Sequence, residues 1–330
     1  MMIRRDVSLM DRSFVDRRTV LGCLAGSLVA AVWAAEPQSA PRIGNPLAIG
    51  NYGMKSLPLE ESIRQIAAIG FDGFELCAIP EWNSTPDQMN RDRRQTTREL
   101  LKSTGLPLVA VMENLPPSAD DQVHQLQLER LRAAIQLGRD LVSDTRPLVQ
   151  TVLGGGKWDE VKMMLRDRVG EWARLAESLE ATVCIKPHRF GAMSTPAHAA
   201  WIIEQLGHPR SLRMVYDYSH YALRPESIEG ELTIVRSMET SGPILGYAAM
   251  KDATSQGDKV TFALPGETGA IDHQAILSGL AATGYHGAFC CEVSAQISNQ
   301  PGYDPLEAAR RCYDRMSAVW IKAGFPRGTR

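Results

Sequence analysis

The chain has 330 residues, with 36 Lys and Arg against 38 Asp and Glu, and a formal net charge of -2. Hydrophobic residues make up 44% of it, which is enough to bury a sizeable core. Because no basic stripe interleaved with aromatic residues occurs, we expect no nucleic-acid partner.

The N-terminal segment has the pattern of an export signal. Arg17 and Arg18 precede an apolar run of small residues that continues to Ala35, and the next charge is Glu36. A twin-arginine pair before an apolar stretch that is short for a bilayer span is typical of a twin-arginine signal peptide. We expect cleavage after Ala34, and an uncleaved N-terminal anchor is the alternative.

This interpretation divides the chain into four parts. Residues 1–34 are the predicted signal peptide, 35–45 a leader segment, 46–325 the folded domain and 326–330 a C-terminal tail. Without the signal, 31 basic residues face 35 acidic ones, so the expected mature charge is -4. We expect a periplasmic or otherwise exported protein with no stable membrane association after cleavage.

Strand-like and helix-like runs alternate from residue 46 onward. In the first half, strands are predicted at 47–49, 71–77, 106–111 and 149–153, and helices at 58–69, 86–103 and 121–141, with a fourth helix ending at Glu180.

The second half repeats this unit with shorter connections. Strands are predicted at 181–185, 212–216, 244–250 and 287–291, and helices at 194–206, 228–238, 272–283 and 306–323. An insertion at 254–268, with Gly257 and Asp258 at its turn, is predicted to form a hairpin overhanging one end of the domain. Eight strands that are each followed by a helix favour the α/β class and a closed (β/α)8 TIM barrel over an open sheet.

The ionisable groups concentrate where predicted strands end. Lys186-Pro187-His188, Asp217-Tyr218-Ser219-His220, Lys251-Asp252 and Glu292 each close one of the last four strands. A parallel barrel gathers the carboxyl ends of its strands at one mouth, so these groups are expected to be neighbours.

The same motifs carry a family resemblance. Pro187-His188, Asp217-x-x-His220, Lys251-Asp252, and Gly284-Tyr285-x-Gly287 before Glu292 are similar to those of the xylose-isomerase-like barrels. That superfamily includes ketose epimerases, inosose isomerases and dehydratases, and endonuclease-type members. The resemblance covers residues 46–325 and implies the same barrel.

Members of the superfamily usually hold one Mn, Co, Mg or Zn ion, and the resemblance shows which ligands differ here. Asp217 and Glu292 match two of the usual ligands, but Lys186 stands in place of a glutamate and Ala249 in place of a histidine. An ammonium offers no lone pair to a metal, and alanine offers no ligand. We therefore expect no cofactor, with a divalent ion on Asp217, His220 and Glu292 as the alternative.

Charge balance suggests what replaces the ion. The Lys186 ammonium can lie between Asp217 and Glu292 and polarise a carbonyl or stabilise an enediolate. If its pKa is lowered, Lys186 can instead act as a base or an imine-forming nucleophile. The alternative is a salt bridge that only plugs the mouth. By resemblance, His188 and His220 are expected to hold substrate hydroxyls.

Four further residues are weaker candidates for substrate contacts. Arg189 can meet a carboxylate or hydroxyl, Lys251 adds a second cation, Trp82 can stack on a sugar face, and Glu113 can line the pocket.

Two classes of function remain open at this stage. The first is an exported isomerase, epimerase or keto-sugar lyase acting on a small carbohydrate or cyclic polyol by proton transfer next to a carbonyl, with Glu292 or Lys186 moving the proton. The second is a non-catalytic carbohydrate-binding barrel that has lost the metal. Members of the resembled family often pair, so a homodimer is one expected state.

Overall fold

The computed structural model describes residues 45–142, 145–224, 230, 232–257 and 259–325. In this part of the chain eight parallel strands close into a barrel, so the predicted (β/α)8 TIM barrel is confirmed. The predicted signal peptide, the leader up to residue 44 and the tail at 326–330 lie outside the described residues. Among the helices that are described, none has the length and apolar character of a membrane span.

The strands and helices follow one another as the periodicity indicates. The strands are β1 Leu47–Gly50, β2 Gly73–Cys77, β3 Leu108–Met112, β4 Leu148–Val152, β5 Thr182–Lys186, β6 Leu212–Tyr216, β7 Leu245–Met250, β8 Asp252–Gln256, β9 Lys259–Ala263 and β10 Phe289–Cys291. The helices are α1 Leu59–Ile69, α2 Arg91–Thr104, α3 Asp121–Leu141, α4 Trp158–Ser178, α5 Pro196–Gln205, α6 Ile234–Ser241, α7 His273–Ala282, α8 Ala295–Ser298 and α9 Pro305–Lys322. Around the barrel the order is β1-β10-β7-β6-β5-β4-β3-β2.

Two helices begin five or more residues later than predicted, and each start is fixed by a side-chain cap. The α2 helix starts at Arg91, not at residue 86, because the Asn90 side chain accepts a hydrogen bond from Arg93 N. The α6 helix starts at Ile234, not at residue 228, because Thr233 caps it through Arg236 N. Residues 228, 229 and 231 of that prediction lie outside the described part.

The barrel interior is filled by small and medium side chains that alternate with outward-facing ones. A separate inner cluster is formed by Ala48, Ala110, Cys184, Val215, Tyr247, Ala249, Ala288 and Cys290. The opposite strand faces pack against the helices in the larger core. Side chains alternate along a strand, so the residue two positions after a member of the inner cluster also points inward. That residue lies closer to the mouth.

The predicted hairpin is present, and it continues directly from the barrel strand β7. Strands β8 and β9 pair antiparallel, from Asp252 with Ala263 to Gln256 with Lys259. At the hairpin's base, Asp252 binds His273 Nε2 at 3.0 Å and Thr268 N at 2.9 Å. These contacts join the base of the hairpin to the start of α7.

Candidate active site

Four ionisable side chains from four neighbouring strands meet at the barrel mouth. Lys186 is the last residue of β5, while Asp217, Lys251 and Glu292 come directly after β6, β7 and β10. These strands are adjacent in the barrel. Each of the four residues lies two positions beyond a member of the inner cluster, so the pleat directs it toward the barrel axis.

The four groups form one network of ion pairs. Lys251 Nζ lies 2.5 Å from Asp217 Oδ2, 2.8 Å from Glu292 Oε1 and 3.0 Å from His220 Nε2. Lys186 Nζ lies 3.0 Å from Asp217 Oδ2 and also donates to Glu292 Oε2. Two ammonium groups therefore face two carboxylates, and the cluster is balanced in charge.

Electrostatics keep Asp217, Glu292 and Lys186 ionised despite their burial. Burial alone would raise the pKa of Asp217, but the Lys251 and Lys186 ammonium groups outweigh it and hold this pKa well below its ordinary value. The same competition lowers the pKa of Glu292 to about 2. Burial would lower the pKa of Lys186, yet Glu292 and Asp217 raise it above the ordinary value. Lys186 therefore does not have the lowered pKa that a lysine needs in order to act as a base or a nucleophile.

The two histidines of the mouth lie side by side and are neutral at pH 7. The rings of His188 and His220 are 4.1 Å apart. Burial, followed by the Lys251 charge, holds the pKa of His220 well below its ordinary value. Burial and the nearby Lys251 and Lys186 lower the pKa of His188 to about 4. Neutral imidazoles can hydrogen-bond hydroxyl groups without adding charge to the cluster.

The hairpin places an aromatic ring over the cluster. Phe262 of β9 lies 5.2 Å from the His220 ring, and Lys251 Nζ is 5.0 Å from the Phe262 ring centre. The exposed Phe190 ring is 6.4 Å from Phe262 and 5.7 Å from His188. These two phenylalanines, which the sequence analysis did not select, give the mouth an apolar edge that limits its access to water.

Trp82 is engaged within the protein. Its ring stacks on Tyr52 at 5.2 Å, its Nε1 donates to Tyr52 O at 3.1 Å, and Lys55 Nζ lies 4.7 Å from its ring centre. Burial, followed by the Glu292 charge, raises the pKa of Tyr52 to about 12. Tyr52 is thus close enough to the charged cluster for Glu292 to act on it, and Trp82 packs against Tyr52.

Glu113 and Arg189 also have protein partners. Glu113 Oε2 accepts hydrogen bonds from Arg130 Nη2 at 2.5 Å and from Asn114 N at 2.7 Å. The Arg189 guanidinium donates to Ala222 O. The predicted contacts of Glu113 and Arg189 with substrate stay predictions. In each case the side chain that would contact the substrate already forms a hydrogen bond within the protein.

Glu75 lies inside the barrel at the level of the cluster. It aligns with Gly50, and a Cβ added to Gly50 would lie 3.1 Å from Glu75 Oε1, so the missing side chain makes room for the carboxyl group. Gln150 Nε2 donates to Glu75 Oε2 at 3.1 Å. Burial and the Glu292 charge raise the pKa of Glu75 to about 7.

This shift predicts a pH effect on stability. Unfolded chains lose the Glu75 proton near the ordinary value of 4.5, whereas the folded protein keeps it up to about pH 7. The free energy of unfolding should therefore fall as pH rises through this window, by at most about 3 kcal/mol. Glu75→Gln should remove this fall and stabilise the protein at pH 8 but not at pH 4.5. Urea unfolding at both pH values checks this, and identical pH slopes in wild type and variant would contradict it.

Three of the mouth residues have the spacing of a metal site. Ligand atoms of Asp217, His220 and Glu292 all lie within 4.8 Å of one another. However, Lys251 Nζ already contacts one such atom on each of the three. A second ammonium, Lys186, binds both carboxylates. The donor set as it stands suits an ammonium and does not fit a divalent cation.

A cavity of about 1400 Å³ lies elsewhere, on the outside of the barrel between α2 and α3. Arg91, Arg98 and Lys102 line it together with Glu99 and Asp140. It contains none of the mouth residues. We place the candidate site at the mouth because buried groups of opposite charge and shifted pKa converge there.

Sequence reasoning found the charged core of the site but missed its surroundings. The strand-end rule selected Lys186, Asp217, Lys251 and Glu292, which the structure brings together. Tyr52, Phe262 and Glu75 were not selected. The Val260-Thr261-Phe262 run beside the predicted turn was the available signal for Phe262, since it follows a strand that ends at the mouth.

Comparison with known proteins gives a family for the fold. A family model described as xylose isomerase-like TIM barrel matches residues 63–315. No curated protein is significantly similar to the chain.

Solved structures resemble the barrel at low sequence identity. A structure of L-ribulose 3-epimerase has a TM-score of 0.65 and 20% identity, covering 85% of this chain and 96% of that one. A 3-keto-D-glucoside 4-epimerase from E. coli has a TM-score of 0.63 and 15% identity, covering 84% and 99%. A fusion of a xylose isomerase-like TIM barrel with 4-hydroxyphenylpyruvate dioxygenase has a TM-score of 0.66 and 18% identity; 85% of this chain aligns with 43% of the fusion. At these identities the neighbours show the fold alone.

Proposed function

This chain belongs to the xylose isomerase-like TIM barrel family, and we propose that it is an exported enzyme acting on a small carbohydrate or cyclic polyol. The proposed chemistry is proton transfer next to a carbonyl group. Isomerisation, epimerisation and elimination from a keto-sugar all begin with this step, and the fold does not choose among them.

The observation that carries the proposal is the unequal bonding of the two lysines. An ammonium has three N–H donors. Those of Lys251 point to Asp217, Glu292 and, in the tautomer whose Nε2 carries the lone pair, His220, whereas Lys186 has two acceptors among the described residues. One N–H of Lys186 therefore remains for a substrate oxygen.

This N–H can polarise a carbonyl group. A hydrogen bond from a charged donor in a water-poor site stabilises the negative oxygen that develops when a neighbouring carbon loses its proton. Because Asp217 and Glu292 already fix the ammonium, no reorganisation is needed when the charge develops. Lys186 would thus supply the electrostatic stabilisation that metal-containing barrels obtain from an ion.

Glu292 is the proposed proton carrier. Lys186 is held in its charged form, so it has no lone pair with which to remove a proton. The Glu292 carboxylate is ionised and is the most exposed of the four charged groups, with its side chain 10% accessible. Its low pKa makes it a weak base in the free protein. A substrate oxygen bound to the remaining N–H of Lys186 would share the positive charge of the ammonium with Glu292, which would raise this pKa and strengthen the base without moving Lys186.

Other mouth residues would orient the substrate. The neutral rings of His188 and His220 can hold hydroxyl groups, and Asp217 fixes Lys186. Tyr52 and Phe262 provide apolar surface of the kind that stacks on sugar faces.

Proton exchange in heavy water tests the proposal. Purified protein is incubated with a panel of keto-sugars, inososes and 3-keto-glycosides, and NMR follows loss of the signals next to the carbonyl. The expected result is protein-dependent exchange at such a carbon in at least one compound. If every compound that binds saturably fails to exchange, the catalytic proposal is wrong.

The burial of the cluster favours one alternative, a non-catalytic carbohydrate-binding barrel. Lys186 is 3% exposed and Lys251 2% exposed. Their ion pairs with Asp217 and Glu292 leave the cluster without net charge. Such a plugged mouth can bind a sugar through its rim without reacting. Saturable binding without exchange in the same panel supports this alternative.

We also propose that the protein leaves the cytoplasm by the twin-arginine route. Replacing both Arg17 and Arg18 by lysine should leave the protein in the cytoplasm with its signal attached, since the paired guanidinium groups carry the recognition signal. Cell fractionation and N-terminal mass measurement check this. The matched control replaces Arg4 and Arg5 by lysine and should be exported normally. Normal export of the Arg17/Arg18 variant would refute the route.

A further inference from the structure

We propose that Lys251 is the resident cation of this mouth, and that its Nζ takes the position a divalent ion would occupy among Asp217, His220 and Glu292. On this view the charged end of one side chain is a covalently attached substitute for the metal. The inference concerns the ligand set and does not depend on the proposed reaction.

The geometry distinguishes Lys251 from Lys186. Lys251 Nζ lies 2.5 to 3.0 Å from one atom on each of the three candidate ligands. Because an ammonium carries donors only, the 3.0 Å contact with His220 is a hydrogen bond in the tautomer whose Nε2 lone pair faces Lys251. That lone pair and the two carboxylate oxygens are the groups that a bound ion would use. Lys186 contacts both carboxylates and, among the described residues, makes no hydrogen bond with His220.

Charge balance agrees with this assignment. Asp217 and Glu292 supply two negative charges, and Lys186 and Lys251 supply two positive charges within hydrogen-bonding distance. A divalent ion added to this cluster would leave two uncompensated positive charges in a buried site, which is strongly unfavourable. Removing Lys251 alone would leave a net negative charge and three converging ligands.

The surroundings hold Lys251 in this position. Its backbone continues directly into β8, where buried Asp252 is anchored by His273 and Thr268. Phe262 lies 5.0 Å above the ammonium, an attractive cation–π geometry. A lysine fixed at both its backbone and its charged end can define the positions of the three groups around it.

Manganese binding by two matched variants tests the inference. Lys251→Met and Lys186→Met remove the same charge and the same donor type, but only the first vacates the position between the three ligands. Mn²⁺ is a suitable probe because it prefers oxygen and imidazole ligands to the introduced thioether. Binding is followed by loss of the free-Mn²⁺ resonance signal, and folding of each variant by circular dichroism.

The expected result is saturable binding of about one Mn²⁺ ion per chain to Lys251→Met, with metal-dependent stabilisation against heat. Wild type and Lys186→Met should bind far less than one ion at the same concentration. Equal gains in both variants would show that charge relief, and not the vacated position, governs binding, and would overturn the inference. So would a folded Lys251→Met variant that binds no more Mn²⁺ than wild type.

A measurement on the unaltered protein covers the case in which Lys251→Met does not fold. Wild-type protein is exposed separately to Mn²⁺, Co²⁺ and Zn²⁺, dialysed and analysed for metal by mass spectrometry. Far less than one ion per chain supports Lys251 as the resident cation. A stoichiometric ion that Asp217→Asn removes would overturn it. No substrate enters either test, so failure here is distinguishable from failure of the proposed reaction.

Discussion

Lys186→Met is expected to abolish measurable turnover of any compound that undergoes exchange. Loss of one well-placed electrostatic stabiliser typically lowers the rate by ~10²–10³, or about 2.7–4 kcal/mol. The variant loses the single ammonium N–H that the described residues leave for a substrate oxygen. The rate of proton exchange in heavy water measures the effect.

Two further variants sharpen this prediction. Lys186→Arg keeps the charge but should lose most of the rate, because a planar guanidinium cannot place its donors as a compact ammonium does. Lys157→Met removes an exposed lysine at the start of α4, whose ion pair with Glu160 lies in solvent, and should react as wild type does. Full activity of a folded Lys186→Met variant would refute the electrostatic role of Lys186 and would favour the alternative of a non-catalytic carbohydrate-binding barrel.

Asp217→Asn is expected to produce the largest loss of stability. Asp217 is fully buried and accepts hydrogen bonds from both lysines and from Ser219 Oγ at 2.6 Å. The neutral amide would leave two buried ammonium groups with Glu292 as their remaining anion. Breaking a buried ion pair by removing one partner costs about 3–5 kcal/mol. Urea unfolding at neutral pH measures the change.

The control for this variant is Asp159→Asn, which breaks an exposed ion pair with Lys162 on α4. Exposed pairs contribute little to stability, so its unfolding should match wild type. Equal unfolding midpoints for Asp217→Asn and wild type would contradict the view that Asp217 holds the two lysines in the folded protein.

The loss of stability at acid pH should also differ between wild type and Asp217→Asn. The folded-state pKa of Asp217 is well below its ordinary value of 3.8, and that of Glu292 is about 2 against 4.5. Groups with depressed pKa values stabilise the fold above the unfolded value and lose this contribution as pH falls through the folded value. Wild-type stability should therefore decline below about pH 4.5, and Asp217→Asn should show a shallower decline.

The fold could be predicted because each element carries its own local signal. Apolar residues at helical spacing and a glycine stop bracket α1, whose C-terminal Gly70 has a positive φ of 112°. The start of α2 was predicted five residues too early because Pro86 resembles a helix start. The side-chain cap at Asn90 decides the boundary instead, and the apolar periodicity alone does not show that this cap will form.

The charged core of the site could be predicted for a similar reason. Inward and outward residues alternate along each strand, so Lys186, Asp217, Lys251 and Glu292 had to lie at one end of a closed barrel. Which ammonium also contacts His220 depends on side-chain directions that the pattern does not contain. Lys186 lies between Asp217 and Glu292 as expected, but the contacts of Lys251 with both carboxylates and with His220 were not predicted.

The walls of the mouth were harder to predict because they depend on loop geometry. Phe262 reaches the cluster only because β8 and β9 fold the hairpin back over the barrel. The raised pKa of Glu75 depends on its depth in the barrel and on the nearby Glu292 charge, which come from different strands. The sequence therefore indicates the hairpin that carries Phe262, but neither the position of its ring over the cluster nor the pKa shift of Glu75.

Catalysis by a lysine ammonium in place of a metal ion is tested most directly by proton exchange with metal-depleted wild-type protein. The protein is treated with a chelator, its metal content is verified by mass spectrometry, and exchange next to the substrate carbonyl is measured in heavy water. Exchange at the untreated rate, lost in Lys186→Met, is the predicted result. Exchange that stops on chelation and returns with Mn²⁺, Co²⁺ or Zn²⁺ would contradict it.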